Sequence, residues 1–276
     1  GGSGTLGGGG GAGGFRENKS PVTPYTASPL NGSTPITVTA TAFPITVGAG
    51  GAGTPKPNSA VGTPGSNGSN SIFSTITSAG GGWGGVASPV IPEANSGNSG
   101  GSGGGGGAER APGSNFGLCG SAGNTPPVSP SQGNPGGKGS YDQPSHTAGG
   151  GGGGAGGAGS NSPGGCGPLV PAPGGAGGTG VGTAINPASP VGTPGPSAPL
   201  RYFAGGGRGG TNNNSPAPDQ AGSVGGGGAG NACGGSNPGN NGTANTGGGA
   251  GGFGTLACTT NTSGGSGIVI IRYKFQ

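Results

Sequence analysis

Methionine is absent from the sequence, tryptophan and histidine occur once each, and charged side chains make up only 5% of 276 residues. Each shortage removes a class of function. No stretch of about 18 apolar residues exists, so no membrane-spanning helix is expected. The basic residues are nine and scattered, from Arg16 to Lys274, and form no patch of the kind that neutralises phosphates, so no nucleic-acid partner is expected. The five acids, Glu17, Glu93, Glu109, Asp142 and Asp219, are far apart along the chain and make no obvious acid–base pair. The four cysteines, Cys119, Cys166, Cys233 and Cys258, lack the paired spacing of a zinc site. Glycine runs match the dinucleotide fingerprint trivially, but none leads from a strand into a plausible helix. No metal, no cofactor and no enzymatic activity are expected. Leu, Ile, Val and Phe number 34, too few to offset chain entropy by apolar burial alone.

Glycine supplies 83 residues and proline 28, a proportion usually read as low complexity or disorder. Disorder by composition normally also needs high net charge, and here it is only +4. Nothing repels the chain from itself. A chain that is mostly bare backbone has one other means of condensing, the pairing of its N–H and C=O groups with one another.

The glycine runs fall at 7–14, 48–53, 80–85, 100–107, 149–159, 174–182, 205–210, 225–230 and 247–254, at irregular intervals, separated by loops rich in Pro, Ser, Asn and Thr. This is no fixed-period solenoid. Within the runs the non-glycine residues step by three: Ala49, Ala52 and Pro55; Trp83, Val86 and Pro89; Ala155, Ala158 and Asn161; Ala250, Phe253 and Leu256. Three residues per turn is the period of the polyproline-II helix, at about 3.1 Å per residue, so a run of eight spans roughly 25 Å. The expected fold is irregular and all-β-like: a bundle or sandwich of packed polyglycine-II helices, with a few short strands and essentially no α-helix. Residues 35–47, 71–78 and 268–275 (IVIIRYKF) read as strands, the last most strongly. Trp83, Phe15 and Phe253 sit in or beside glycine runs and are expected at core or seam positions. The whole of 1–276 reads as one glycine-rich domain. Its opening in mid-glycine leads to the expectation that it is the C-terminal portion of a longer chain.

An ordered series of islands runs along the sequence. It begins with GGGGAGGFR at 8–16 and ITVGAGGAG at 45–53, and continues with GSNSIFSTITSAGGG at 68–82 and YFAGGG at 202–207. GTANTGGGAGGFG at 242–254 and GGSGIVIIRY at 264–273 complete it. The series resembles the glycine-rich domains of bacteriophage tail and tail-fibre proteins, including distal adhesins. The resemblance implies a sandwich of polyglycine-II helices with variable loops at one tip that contact the host. It also implies a virion location and an extracellular life after release. The implied partners are other tail proteins and a host-surface glycan or outer-membrane protein, and self-association into a homo-oligomer is compatible with it. Members usually open with an apolar strand ahead of the first glycine run, which this sequence does not contain. A passive virion cap, an ice-binding protein and an extracellular-matrix glycine-rich protein are the rival readings. Irregular loops argue against the ice-binding reading, and only four Tyr argue against the matrix reading.

Recognition must lie in the loops, because the runs carry almost no side chains. Loops 108–135, 140–148 and 211–221 are the best candidates, with Phe116, Tyr141, His146 and Asn213 offering stacking or hydrogen bonds to a glycan. If each long run is one pass through the bundle, Cys119 and Cys233 emerge at one end, and Cys166 and Cys258 at the other. The ends are roughly 25 Å apart, and a disulfide needs Cα atoms within about 7 Å. The expected pairing is therefore Cys119–Cys233 with Cys166–Cys258. Counting the short 136–139 stretch as a pass spoils it, and free thiols remain open.

Overall fold

The structure is a computed structural model of the chain. It describes residues 6–21, 23–32, 36–54, 62–87, 95–108, 119–140, 147–163, 173–188, 190–211, 221–231, 239–254 and 261–273. Among these there is no α-helix.

The three-residue period appears in the destinations of the backbone amides. In the first run, the N–H groups of Gly7, Gly10 and Gly13 donate to Phe253, Ala250 and Gly247 of the run 246–254. Those of Gly8, Gly11 and Gly14 donate to Gly85, Gly82 and Ala79 of the run 79–87. Those of Gly9 and Ala12 donate to Gly150 and Gly153. Every third residue faces the same neighbour, as a helix of three residues per turn requires. The carbonyls interleave. Leu6, Gly9 and Ala12 accept from Ala108, Gly105 and Ser102, while Gly7 and Gly10 accept from Gly210 and Gly207. Three N–H directions and two C=O directions thus meet five neighbours, and a helix of three residues per turn offers a sixth position, so polyglycine runs pack as a hexagonal array. The bundle is held by backbone pairing, each bond contributing about 0.5–1.5 kcal/mol net.

Glycine is required where neighbouring backbones touch. A β-carbon at Gly105 would lie 2.7 Å from the carbonyl carbon of Gly150 and closer still to its oxygen. Side chains are consequently pushed to the two ends. Leu6, Ala87 and Ala108 form one small apolar cluster, at the start of the first run. Ala12, Ala155, Val181 and Ala204 form another near its finish, with Phe15 and Leu30 packed against it. Phe253 is buried, whereas Trp83 is half-buried on the outer side of its run, its amide donating to Asn67 Oδ1 at 3.0 Å.

Short strands cap the Phe15 end. β1 (Glu17–Asn18) pairs in parallel with β2 (Asn31–Gly32). β3 (Ile45–Thr46), β4 (Ser71–Phe73) and β5 (Ile76–Ser78) form an antiparallel sheet in that order. β6 (Val181–Thr183), β7 (Thr193–Pro194) and β8 (Arg201–Phe203) form another, in the order β6-β8-β7. The strands expected from sequence are mostly shorter. Of 35–47, only Ile45–Thr46 is laddered, and Val38 stays exposed. Residues 71–78 are not one strand but a hairpin, turning at Ser74, whose φ is 54°. Ile268–Tyr273 follows no ladder: among the described residues no strand pairs with it, and Lys274 and Phe275 lie outside them. Gln132, almost fully buried, closes the same end. Its Oε1 accepts the Ala79 amide at 2.8 Å, and its Nε2 donates to the Pro126 carbonyl at 2.9 Å.

Candidate functional site

The hydrogen-bond registers fix which end of the bundle each segment reaches. Ala108 bonds Leu6, Gly8 bonds Gly85, and Gly107 bonds Asn95, so residues 87, 95 and 108 lie at the Leu6 end. Ser140 bridges Ala148, which bridges Thr211, and Gly149 bonds Gly210, which bonds Gly7. Ser162 Oγ lies 3.0 Å from Ser140 Oγ and 3.3 Å from the Pro173 carbonyl, bringing 163 and 173 to that end. Thr211 bonds Asn231, Gly7 bonds Phe253, and Thr54 Oγ1 bonds the Thr63 carbonyl at 2.6 Å. The described residues that flank eight excursions, 55–61, 88–94, 109–118, 141–146, 164–172, 212–220, 232–238 and 255–260, therefore all lie toward the Leu6 end. The Phe15 end carries the strands and tight turns instead.

Phe116, Tyr141, His146 and Asn213 lie outside the described residues, whose nearest flanks, such as Ala108, Ser140 and Thr211, are at the Leu6 end. By sequence the eight excursions hold four of the five acids and the one histidine. Cys119 is described and exposed, low on the ascending segment 119–124. Cys166, Cys233 and Cys258, and with them both expected disulfides, lie outside the described residues. The pass-counting premise behind that pairing is corrected. The stretch 149–159 is two arms, not one pass: Gly154 bonds Gly157, and Gly151 bonds Ser160, so the chain reverses at 155–157. With the described residues that flank every cysteine-bearing segment at one end, a separation of roughly 25 Å no longer excludes any pairing.

At the opposite end the structure gathers charges that the sequence left isolated. Glu17 is buried, its Oε2 accepting the Ser28 amide at 2.7 Å and its Oε1 accepting the Thr183 hydroxyl at 2.7 Å. Two cations lie over the Tyr25 ring, Lys19 Nζ at 5.2 Å and the Arg272 guanidinium at 5.3 Å from its centroid. Burial, then the charge of Glu17 and a hydrogen bond to it, push the Tyr25 phenol far above its ordinary range, with Arg272 opposing. Arg272 also donates to the Ile185 carbonyl at 3.4 Å, so the terminal segment is pinned to the cap through its arginine. The only sequence signal for this cluster is that Glu17 directly follows the first glycine run and its Phe-Arg pair. The group is a structural clasp: Glu17 and Arg272 spend polar atoms on Ser28, Thr183 and Ile185 of the cap. The folded protein keeps the Tyr25 proton where an unfolded tyrosine loses it, near pH 10. Stability is therefore fully present below that pH and falls as pH rises above it. Denaturation between pH 9 and 11 is expected to show this loss in the native protein and a smaller one in Tyr25→Phe; parallel curves would refute it.

Among the described residues no group of His, Cys, Asp and Glu is placed to hold a metal ion. Among the described residues no helix is long and apolar enough to cross a membrane. Comparison with curated proteins and with solved structures finds no match. A family model described as a glycine-rich domain matches residues 1–274. With runs whose amides step through three neighbours, and with that match across nearly its whole length, the chain belongs to the glycine-rich domain family.

Proposed function

We propose that the chain is a virion structural protein of a phage tail or tail fibre, which adheres to the host surface through the excursions at the Leu6 end. The observation that carries this reading is the sorting of the two ends. A scaffold that needed only to fill space gains nothing from gathering the flanks of eight excursions at one end. A scaffold that presents a variable surface requires it. The polyglycine core supports the reading in a second way. At most of its glycines a β-carbon would meet a neighbour's backbone within 3.0 Å, so the runs are constrained while the excursions can change without altering those contacts. The target is a surface glycan or an outer-membrane protein, met by side chains such as Phe116, Tyr141, His146 and Asn213.

Purified chain, incubated with intact host bacteria, should bind the cells saturably and compete with adsorption of the phage that carries it. Undiminished adsorption at saturating protein, together with no cell binding, would leave the passive cap as the better reading.

A further inference from the structure

Among the described residues, six runs surround one unfilled position of the hexagonal array. Run 6–15 bonds 79–87, which bonds the segment 62–70 through Gly68 and Gly81. That segment bonds 48–54 through Ser69 and Ala49, and 48–54 bonds 261–267 through Gly51 and Gly264. Run 261–267 bonds 246–254 through Gly265 and Gly248, which bonds the first run again through Gly13 and Gly247. Neighbours around this ring alternate in chain direction. At its centre, where the array calls for a seventh helix, there is a cavity of about 300 Å³. Gly13, Gly50, Gly68, Gly81, Gly248 and Gly264 line it, one from each member of the ring.

Two further observations show what the cavity is shaped for. Among the described residues, the N–H groups of Gly81 and Gly50 donate no hydrogen bond, although Gly81 is buried. In a bundle held by backbone pairing, such orphans are costly and mark a missing acceptor. The glycines themselves are the second sign. Most run glycines would meet a neighbour's backbone within 3.0 Å if they carried a β-carbon, but at Gly13 the nearest atom would be 3.7 Å away and at Gly264 3.4 Å. No neighbour now present demands glycine at these two positions, and a seventh backbone in the cavity would. Above the ring the cavity widens into an apolar mouth that includes Val38, Val269 and Ile271. There the extended segment Ile268–Tyr273 has no ladder partner among the described residues, and Val38, Ile271 and Tyr273 are exposed.

We propose that this channel takes one extended segment of another polypeptide, glycine-rich at its inner end and alternating apolar residues at its outer end. The inner part completes the seventh helix, accepting from Gly81 and Gly50. The outer part lies beside Ile268–Tyr273 as an added strand, main-chain pairing giving affinity and the apolar mouth giving register. A bulky or charged occupant cannot enter, since the walls stand one glycine helix apart. The site lies at the end opposite the excursions, so it concerns attachment of this protein to a neighbour rather than adhesion.

The test uses the whole chain and two synthetic peptides, a Thr-Val-Thr-Val segment followed by Gly-Gly-Ala-Gly-Gly-Gly, and the same two blocks in reverse order. One order should bind one-to-one by calorimetry and shift the amide resonances of Gly50 and Gly81. Binding should weaken by about tenfold or more in Gly264→Val, where a β-carbon makes only ordinary van der Waals contacts, the nearest at 3.4 Å, with the channel's backbone walls. Gly13→Leu serves in the same way should Gly264→Val fail to fold. Binding by neither peptide, or equal binding by a folded channel variant, overturns the proposal. So does concentration-dependent dimerisation that shifts the same amides without peptide, which would make a second copy of this chain the occupant.

Discussion

Gly9→Ala is expected to cost about 3 kcal/mol or more of stability, while Gly13→Ala, four residues along the same run, is expected to gain roughly 0.5–1 kcal/mol. The chemistry of the two changes is identical, and only the surroundings differ. A β-carbon at Gly9 would sit 2.6 Å from the carbonyl carbon of Gly207, closer to its oxygen, and 2.9 Å from the carbonyl carbon of Arg208. These are backbone atoms of a run that itself bonds Gly10, Gly152 and Gly228, so relief at one contact breaks pairing at others. A flexible side chain could swing away, and a hexagonally bonded backbone cannot. At Gly13 the same methyl would meet Gly247 O at 3.7 Å and Ala79 O at 3.8 Å, ordinary contacts. There the loss of unfolded-state freedom is what remains, and it favours the folded chain. Urea denaturation of the two variants beside the native protein checks this. Equal destabilisation would mean that glycine is kept for its backbone freedom rather than for close approach. The peptide of the preceding subsection gives the comparison a further edge: an occupant in the channel should reverse the gain at Gly13.

The period of three was legible because it depends on a single local property, the helix that a chain of glycine prefers once its amides must pair. Ala250 and Phe253 show it well: both stand on one run, and both are buried. Ala155 and Ala158 carried the same signal, yet they stand on two antiparallel arms, since the chain reverses at 155–157. Glycine marks turns in ordinary sequences, and in a run made of glycine it cannot mark them. The number of passes was therefore illegible, and an argument about disulfides built on that number could not stand. The terminal IVIIRY illustrates a different limit. Its alternation describes a strand, but a strand needs a partner to ladder with, and a sequence gives the pattern of one edge only. The Glu17, Tyr25 and Arg272 clasp joins residues that the chain separates by up to 255 positions. No spacing rule reaches that far. The common base of the excursions was likewise hidden, because it follows from the registers of every run taken together.

Replacing the excursions 109–118, 141–146 and 212–220 with glycine–serine segments of equal length is expected to lower binding to host cells by more than about tenfold while leaving the melting temperature nearly unchanged. The two halves of that expectation rest on different observations. Stability should hold because the base is closed beneath the excursions by main-chain bonds. Ser140 and Ala148 are bridged, Ala148 and Thr211 are bridged, and Thr211 donates to Asn231, all between residues that remain. Loop closure at fixed length costs little when only composition changes. Binding should fall because the replaced segments contain Phe116, Tyr141, His146 and Asn213 and three of the five acids, on a chain whose runs offer a partner almost nothing but backbone. A matched replacement of 37–42 at the other end, where Val38 and its neighbours are exposed, should leave binding intact. Cell-binding isotherms and thermal melts of both variants decide the matter. A loop-replaced protein that melts as before and binds as before would locate recognition away from the Leu6 end. Loss of binding in the 37–42 variant alone would assign it to the strand-capped end and to the channel that opens there.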